Sequence, residues 1–269
     1  MDEFDFVDHY DEAEEVAQSN QLPDNEVDCA LNCAFIGVGG GGGKLAKAFL
    51  DLGFKKTLLI NTTPKDQPDG VDPEHLVLIP DADGVAKNVQ FGKDVFNRNG
   101  TVVEDALRTK LGKVDWLFVL AGGGGTGSAC FALDGVFKRY LNSVNAEGKV
   151  FYIMSWPTSQ ELLNSTITKN ALSLVNDVGD SPHIILDNEK QVKFLRGKVG
   201  MMNLLPTANS AFAKLLTQTF KLATEKSSIQ SFDSKDLERC MKTNQRMIVG
   251  TTVIKDPSVS NLGSMILQN

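Results

Sequence analysis

Apolar residues gather into six short runs along the chain: Ala30–Val38, Thr57–Ile60, His75–Ile79, Val114–Leu120, Val150–Met154 and His183–Leu186. Their length and near-continuous apolar character predict strands buried on both faces. Most are separated by stretches with helical spacing, among them Lys44–Leu52 and Cys130–Leu141. In the second of these, Phe131, Val136, Phe137, Tyr140 and Leu141 share one face. Such strands alternating with helices predict an α/β fold, a Rossmann-like parallel sheet with helices on both faces. Ligands of these sheets bind beyond the carboxyl ends of the strands.

Two glycine runs fall at such ends. Gly39–Gly43 follows the first strand, and Gly122–Gly125, continued by Thr126-Gly127-Ser128, follows the fourth. Glycine is costly to order, so both runs need a reason. A strand, a glycine turn and a helix start offer unpaired N–H groups and the positive end of a helix dipole, which together favour phosphate. Gly37-Val38-Gly39-Gly40-Gly41-Gly42 satisfies GxGxxG. The acidic ribose ligand of that motif is missing, since the second strand ends Asn61-Thr62-Thr63. A P-loop would need glycine at Val38 and Ser or Thr at Leu45. Taken alone, the first run is explained equally well by a tight strand–helix turn. Two glycine loops on separate strands fit a nucleoside triphosphate held from two sides. The Thr126 and Ser128 hydroxyls suit terminal phosphate oxygens or a metal's water.

Composition narrows the class. The chain has 269 residues, 42% hydrophobic and 23% charged, the balance of a soluble globular protein. No apolar stretch is long enough to span a bilayer and no signal peptide opens the chain. Cys29, Cys33, Cys130 and Cys240 have no zinc spacing and read as packing residues of a reduced, cytoplasmic chain. A net charge of -7 argues against a general nucleic-acid binder. Residues 1–28 contain no Lys or Arg and are dense in Asp and Glu. They read as a solvated acidic extension or, through Phe4, Phe6, Val7 and Tyr10, as a docking peptide for a partner protein. His9, His75 and His183 are scattered, and His75 and His183 read as structural residues of apolar strands.

GGGGTGS resembles the signature loop of the tubulin/FtsZ superfamily, and the resemblance runs in order from about Cys33 to Ile254. Phe35 to Gly43 is similar to the FtsZ first phosphate loop, with Lys44 where FtsZ usually has asparagine. Ile60-Asn61-Thr62 resembles the second loop, whose usual aspartate is here Thr63. Ala86-Lys87-Asn88 with Gly92 resembles the third, in which Asn88 would lie near the terminal phosphate. Pro157 to Glu161 resembles the fifth, giving Glu161 the ribose role. The arginine expected soon afterwards is replaced by Asn164-Ser165-Thr166. Asn188 in Leu186-Asp187-Asn188-Glu189 would read the guanine edge, with Asn209 on a central helix over Thr207–Ala223 as a second contact.

The resemblance implies a GTP/GDP site with Mg2+. It would be built from Gly39, Gly40, Gly41, Gly42, Gly43, Lys44, Asn61, Asn88, Gly123, Gly124, Gly125, Thr126, Gly127, Ser128, Glu161, Asn188 and Asn209. Ser231-Phe232-Asp233-Ser234-Lys235-Asp236-Leu237 resembles the family's catalytic synergy loop, in which Asp233 and Asp236 would polarise water at the next subunit's nucleotide. The same Asp-Ser-Lys-Asp pattern is also a helix N-terminus capped by Asp233.

The implied organisation is an acidic extension over 1–28, a GTP-binding domain over 29–200 and a central helix region over 201–226. A synergy loop and a truncated or vestigial second domain would occupy 227–269, with a strand over Arg246–Ile254. The implied function is a GTPase that self-associates head to tail into a cytoskeletal filament. The alternative is a non-polymerising guanine-nucleotide-binding modulator of another filament, and a dinucleotide oxidoreductase rests on the first loop alone.

Overall fold

Each of the six apolar runs carries a strand in the computed structural model, which describes residues 21–226 and 232–250. The order is β1 (Cys33–Val38), α1 (Gly39–Leu50), β2 (Thr57–Asn61), β3 (Leu76–Leu78), α2 (Val89–Arg98), α3 (Gly100–Leu111), β4 (Trp116–Gly122) and α4 (Gly125–Ser128). It continues with α5 (Asp134–Ser143), β5 (Val150–Trp156), α6 (Ser165–Val178), β6 (His183–Asp187), α7 (Asn188–Leu195), α8 (Leu204–Leu222) and α9 (Ser234–Met241). All strand pairs are parallel, in the order β3-β2-β1-β4-β5-β6.

Alternate residues of the central strands feed two cores. From β1, Ala34, Ile36 and Val38 pack with Val95, Leu107, Phe137 and Leu174 from α2, α3, α5 and α6. Cys33 and Phe35 pack with Phe49 of α1, Leu216 and Phe220 of α8 and Met241 of α9. On that second face Phe35 stacks on Phe49 at 4.0 Å and on Phe118 at 5.0 Å, and Phe118 meets Phe220 at 5.3 Å. Each of these fully buried rings contributes about 1.5–3 kcal/mol of apolar burial. His75 and His183 are structural, their Nδ1 atoms each 2.8 Å from a backbone carbonyl, of Thr57 and Ser181 respectively.

Three boundaries differ from the sequence pattern. Gly39–Gly43, expected as a loop, forms the first turn of α1, in which Gly42 lies too close to the β4 backbone to admit a side chain. Cys130–Leu141 divides into a 3-10 turn (Cys130–Leu133) and α5, the break falling just before Asp134. The strand expected over Arg246–Ile254 shows a single parallel bridge, Arg246 to His183, among its described residues, with residues 251–254 outside them. Among the described residues no helix is long and apolar enough to cross a membrane.

Candidate functional site

A cavity of about 650 Å³ opens beyond the carboxyl ends of the strands. Its floor comes from the two glycine runs, which converge because β1 and β4 are neighbours paired Val38 to Ala121. Gly40, Gly41 and Lys44 enter from α1, and Gly123, Gly124, Gly125, Thr126 and Gly127 from the segment after β4. No side chain caps α1 and no acidic residue lies in its first turn, so its amino-terminal N–H groups stay available to a ligand.

The glycines divide by task. A Cβ at Gly39, where φ is +70°, would lie 2.7 Å from the Gly127 nitrogen, so the two runs interlock there. A Cβ at Gly42 would lie 2.1 Å from the Leu120 carbonyl oxygen, and Gly43 is buried against Leu59 and Pro68. These three serve packing and do not line the cavity. Gly124, by contrast, has no atom within 4 Å of where a Cβ would stand.

Three other expected residues also face elsewhere. Asn61 is buried and accepts the Thr62 N–H at 2.8 Å. Ser128 is fully buried and donates to the Gly122 carbonyl at 3.3 Å. Asn88 caps α2, accepting the Phe91 N–H at 3.0 Å.

The remaining wall brings together residues distant in sequence. Glu161 lines it, with Oε2 accepting both the backbone N–H and the hydroxyl of Thr158 at 2.8 Å. Asn188, opening α7, and Asn209 on α8 complete the far side with Leu205. Glu189 fastens α7 to the loop after β5 by accepting the Ser159 N–H at 3.0 Å, and that bond holds its carboxyl below the usual range. Thr126 meets the buried Thr62 hydroxyl at 3.1 Å.

Two charged residues line the cavity that the sequence pattern did not single out. Asp66 stands beside Gly40, three residues after Thr63, whose own hydroxyl is given to Asp83 Oδ1 at 2.8 Å. Lys87 was legible only as the neighbour of Asn88. It and Ala86 hold left-handed backbone, φ 62° and 47°, and the buried Asn170 amide donates to the Lys87 carbonyl at 2.9 Å. Two consecutive non-glycine residues in this region store about 1–3 kcal/mol each, a cost met where a site fixes the chain. Glycine backbone, the start of α1 and the residues Lys44 and Lys87 line one space, a lining whose chemistry suits a polyphosphate.

Asp233 and Asp236 lie elsewhere. They form a reciprocal cap on α9: Asp233 Oδ1 accepts from the N–H groups of Lys235 (2.9 Å) and Asp236 (3.0 Å), and Asp236 Oδ2 accepts from the Asp233 N–H at 3.4 Å. Lys235 approaches Glu147 at 3.7 Å, and Lys149 Nζ donates to the Lys242 carbonyl at 3.2 Å. Glu147 and Lys149 directly precede β5, which places α9 at the amino end of the sheet, opposite the cavity. Ser231, the first residue of that motif, lies outside the described residues.

No protein-family model and no curated protein matches the chain. Solved structures do. A GTPγS-form protofilament of TubZ from Bacillus thuringiensis serovar israelensis matches with a TM-score of 0.72 at 18% identity, over 96% of this chain and 73% of that one. CetZ from Methanosaeta thermophila gives 0.61 at 23% identity over 78% of this chain, which spans 58% of that protein. FtsZ from M. jannaschii gives 0.62 at 18% identity, over 89% and 68%. With its six parallel strands, its helices on both faces and its glycine runs meeting at the carboxyl ends, the chain has the fold of the tubulin/FtsZ superfamily.

Proposed function

We propose that this protein binds GTP in the cavity, assembles head to tail into a cytoplasmic filament and hydrolyses GTP where one copy meets the next. One observation carries the reading: the polyphosphate-type cavity and the acidic pair Asp233/Asp236 lie at opposite ends of one sheet. A carboxylate at the amino end can serve only the cavity of another copy, and a heterologous contact of that kind builds an open filament. The nucleotide domain is then residues 29–200, with 201–226 as the central helix region and 227–269 carrying the acidic pair.

In this reading the glycine N–H groups, Lys44 and Lys87 hold the phosphates, Glu161 accepts from the ribose, and Asn188 and Asn209 face the base. Asn61, Asn88 and Ser128 act indirectly, by fixing the backbone behind the phosphates. Asp233 and Asp236 of the neighbour orient water for attack on the terminal phosphorus. One carboxylate accepts its proton as the bond to GDP breaks.

Mg2+ fits the donors present. Asp66 and Thr126 line the phosphate end, oxygen donors too few to enclose a cation by themselves. That suits an ion held chiefly by phosphate oxygens and water, whose charge offsets that of the phosphates. The second reading, a non-polymerising nucleotide-binding modulator of another filament, is favoured by the α9 cap, which accounts for both acidic residues without catalysis.

Light scattering with and without GTP, with turnover measured against protein concentration, tests the proposal. Assembly should require GTP, and turnover per molecule should rise with concentration. Scattering indifferent to GTP together with flat, negligible turnover would favour the modulator. GTP should also compete out ATP, because an asparagine amide donates and accepts in one plane and matches the guanine O6 and N1–H edge. Equal affinities in a competition titration would remove the base assignment.

Thr126→Val should weaken GTP binding by about 1–3 kcal/mol, since a methyl replaces a hydroxyl at the phosphates and strands the Thr62 hydroxyl. Unchanged binding in calorimetry would exclude this loop as the phosphate site.

A further inference from the structure

Charge is unevenly placed along this chain. No Asp or Glu occurs between Glu189 and Glu225, while Lys190, Lys193, Arg196, Lys198, Lys214 and Lys221 do. The first four are exposed on α7 and the turn after it. Lys193 pairs with Glu189 at 3.3 Å and Lys198 lies 3.6 Å over the Phe194 ring. Apolar side chains stand among them unburied: Phe194 is 70% exposed, Met201 85% and Met202 89%. Exposed Phe and Met side chains within residues 190–205, which hold four cations and no carboxylate, mark a surface that binds something. The strip is held in place, since the Lys198 N–H reaches the Leu195 carbonyl and the Asn203 N–H the Gly200 carbonyl, both at 2.9 Å.

Residues 1–20 carry the complementary pattern. Asp2, Glu3, Asp5, Asp8, Asp11, Glu12, Glu14 and Glu15 are interleaved with Phe4, Phe6, Val7 and Tyr10, and no Lys or Arg is present. We propose that this acidic, aromatic segment docks on the basic, apolar surface of residues 190–205 of its own chain. Acid faces base, and the aromatic rings meet Phe194, Met201 and Met202.

The chain geometry allows it. Leu22 is buried, and its N–H bonds to the Lys110 carbonyl at 2.8 Å, near the amino end of β4. From that anchor 20 extended residues reach as far as about 66–72 Å. A seven-residue strand spans only about 23 Å.

Zero-length carbodiimide cross-linking of the dilute full-length protein, with peptide mapping, tests this independently of nucleotide binding. Carboxylates of residues 2–15 should join Lys190, Lys193 or Lys198 in monomer-sized product, and raising salt to about 0.5 M should suppress the links severalfold. Phe194→Ser with Met201→Ser and Met202→Ser keeps every lysine and should lower the yield about tenfold. Phe4→Ser with Phe6→Ser and Tyr10→Ser should do the same without altering the folded domain. Links scattered over lysines elsewhere would overturn the proposal, as would a yield untouched by either triple variant. Links confined to dimer-sized product would overturn it too and make the surface a contact between copies.

Discussion

Asp233→Asn is expected to cut GTP turnover by about 10²–10⁴-fold, the range for a lost general base, with GTP affinity of the monomer unchanged. Asparagine caps a helix as well as aspartate does, so the N–H groups of Lys235 and Asp236 keep their acceptor and α9 stays folded. The substitution therefore removes charge without removing the cap. Asp236→Asn should behave alike, its side-chain oxygen still accepting from the Asp233 N–H. Asp233→Ala adds a stability loss of about 1 kcal/mol, because the cap goes as well. Single-turnover hydrolysis with thermal denaturation separates the two roles. If both asparagine variants hydrolyse GTP at the unmutated rate, the acidic pair is a cap alone and the modulator reading stands.

Gly42→Ala should destabilise the fold by about 3 kcal/mol or more, at the upper end for overpacking. The new methyl would stand 2.1 Å from the Leu120 oxygen, 2.9 Å from its carbonyl carbon and 3.2 Å from the Ala121 Cα. All three atoms are backbone of a central strand bonded on both sides, so none can turn away. For a chain of this size the melting temperature should fall by about 6–12 °C. Gly124→Ala is the control. Its φ of -73° suits any residue and the space around it is open, so stability should stay within about 0.5 kcal/mol while the methyl intrudes on the cavity. Equal melting temperatures for the two variants would mean that α1 is not pressed onto β4.

The fold was legible because strands buried on both faces announce themselves. Phe35-Ile36 and Leu117-Phe118-Val119-Leu120 have no polar face to disguise them, and all six runs became strands. Convergence of the glycine runs followed from where such sheets bind ligands. The task of each glycine did not, since Gly42 and Gly124 look alike in sequence and differ only in what lies beyond the missing Cβ. Asn61 and Ser128 carry a related ambiguity. An amide or hydroxyl beside a glycine run serves a ligand or its own backbone equally well, and these two turned inward. Asp66 stands three residues past Thr63, where the resemblance places a carboxylate, so the motif does not reach it. The Asp233 cap was visible in Asp-Ser-Lys-Asp, whose spacing acts locally.

With β1 between β2 and β4 at the centre of the sheet, the protein must wait during synthesis. One whole side of β1 finds its partner only when Ala121 has emerged, 88 residues after Cys33 (121 minus 33). At about 5–20 residues per second this takes about 4–18 s on the ribosome, with Phe35, Ile36 and Val38 offered meanwhile to any passing strand edge. The glycine turn of α1 cannot shorten the wait, because five glycines do not nucleate a helix unaided, and Gly42 and Gly39 pack on the absent β4 and the segment after it. Nascent chains halted before Trp116 should therefore be held by chaperones, and chains released beyond Met241, with α8 and α9 covering the second sheet face, should fold free of them.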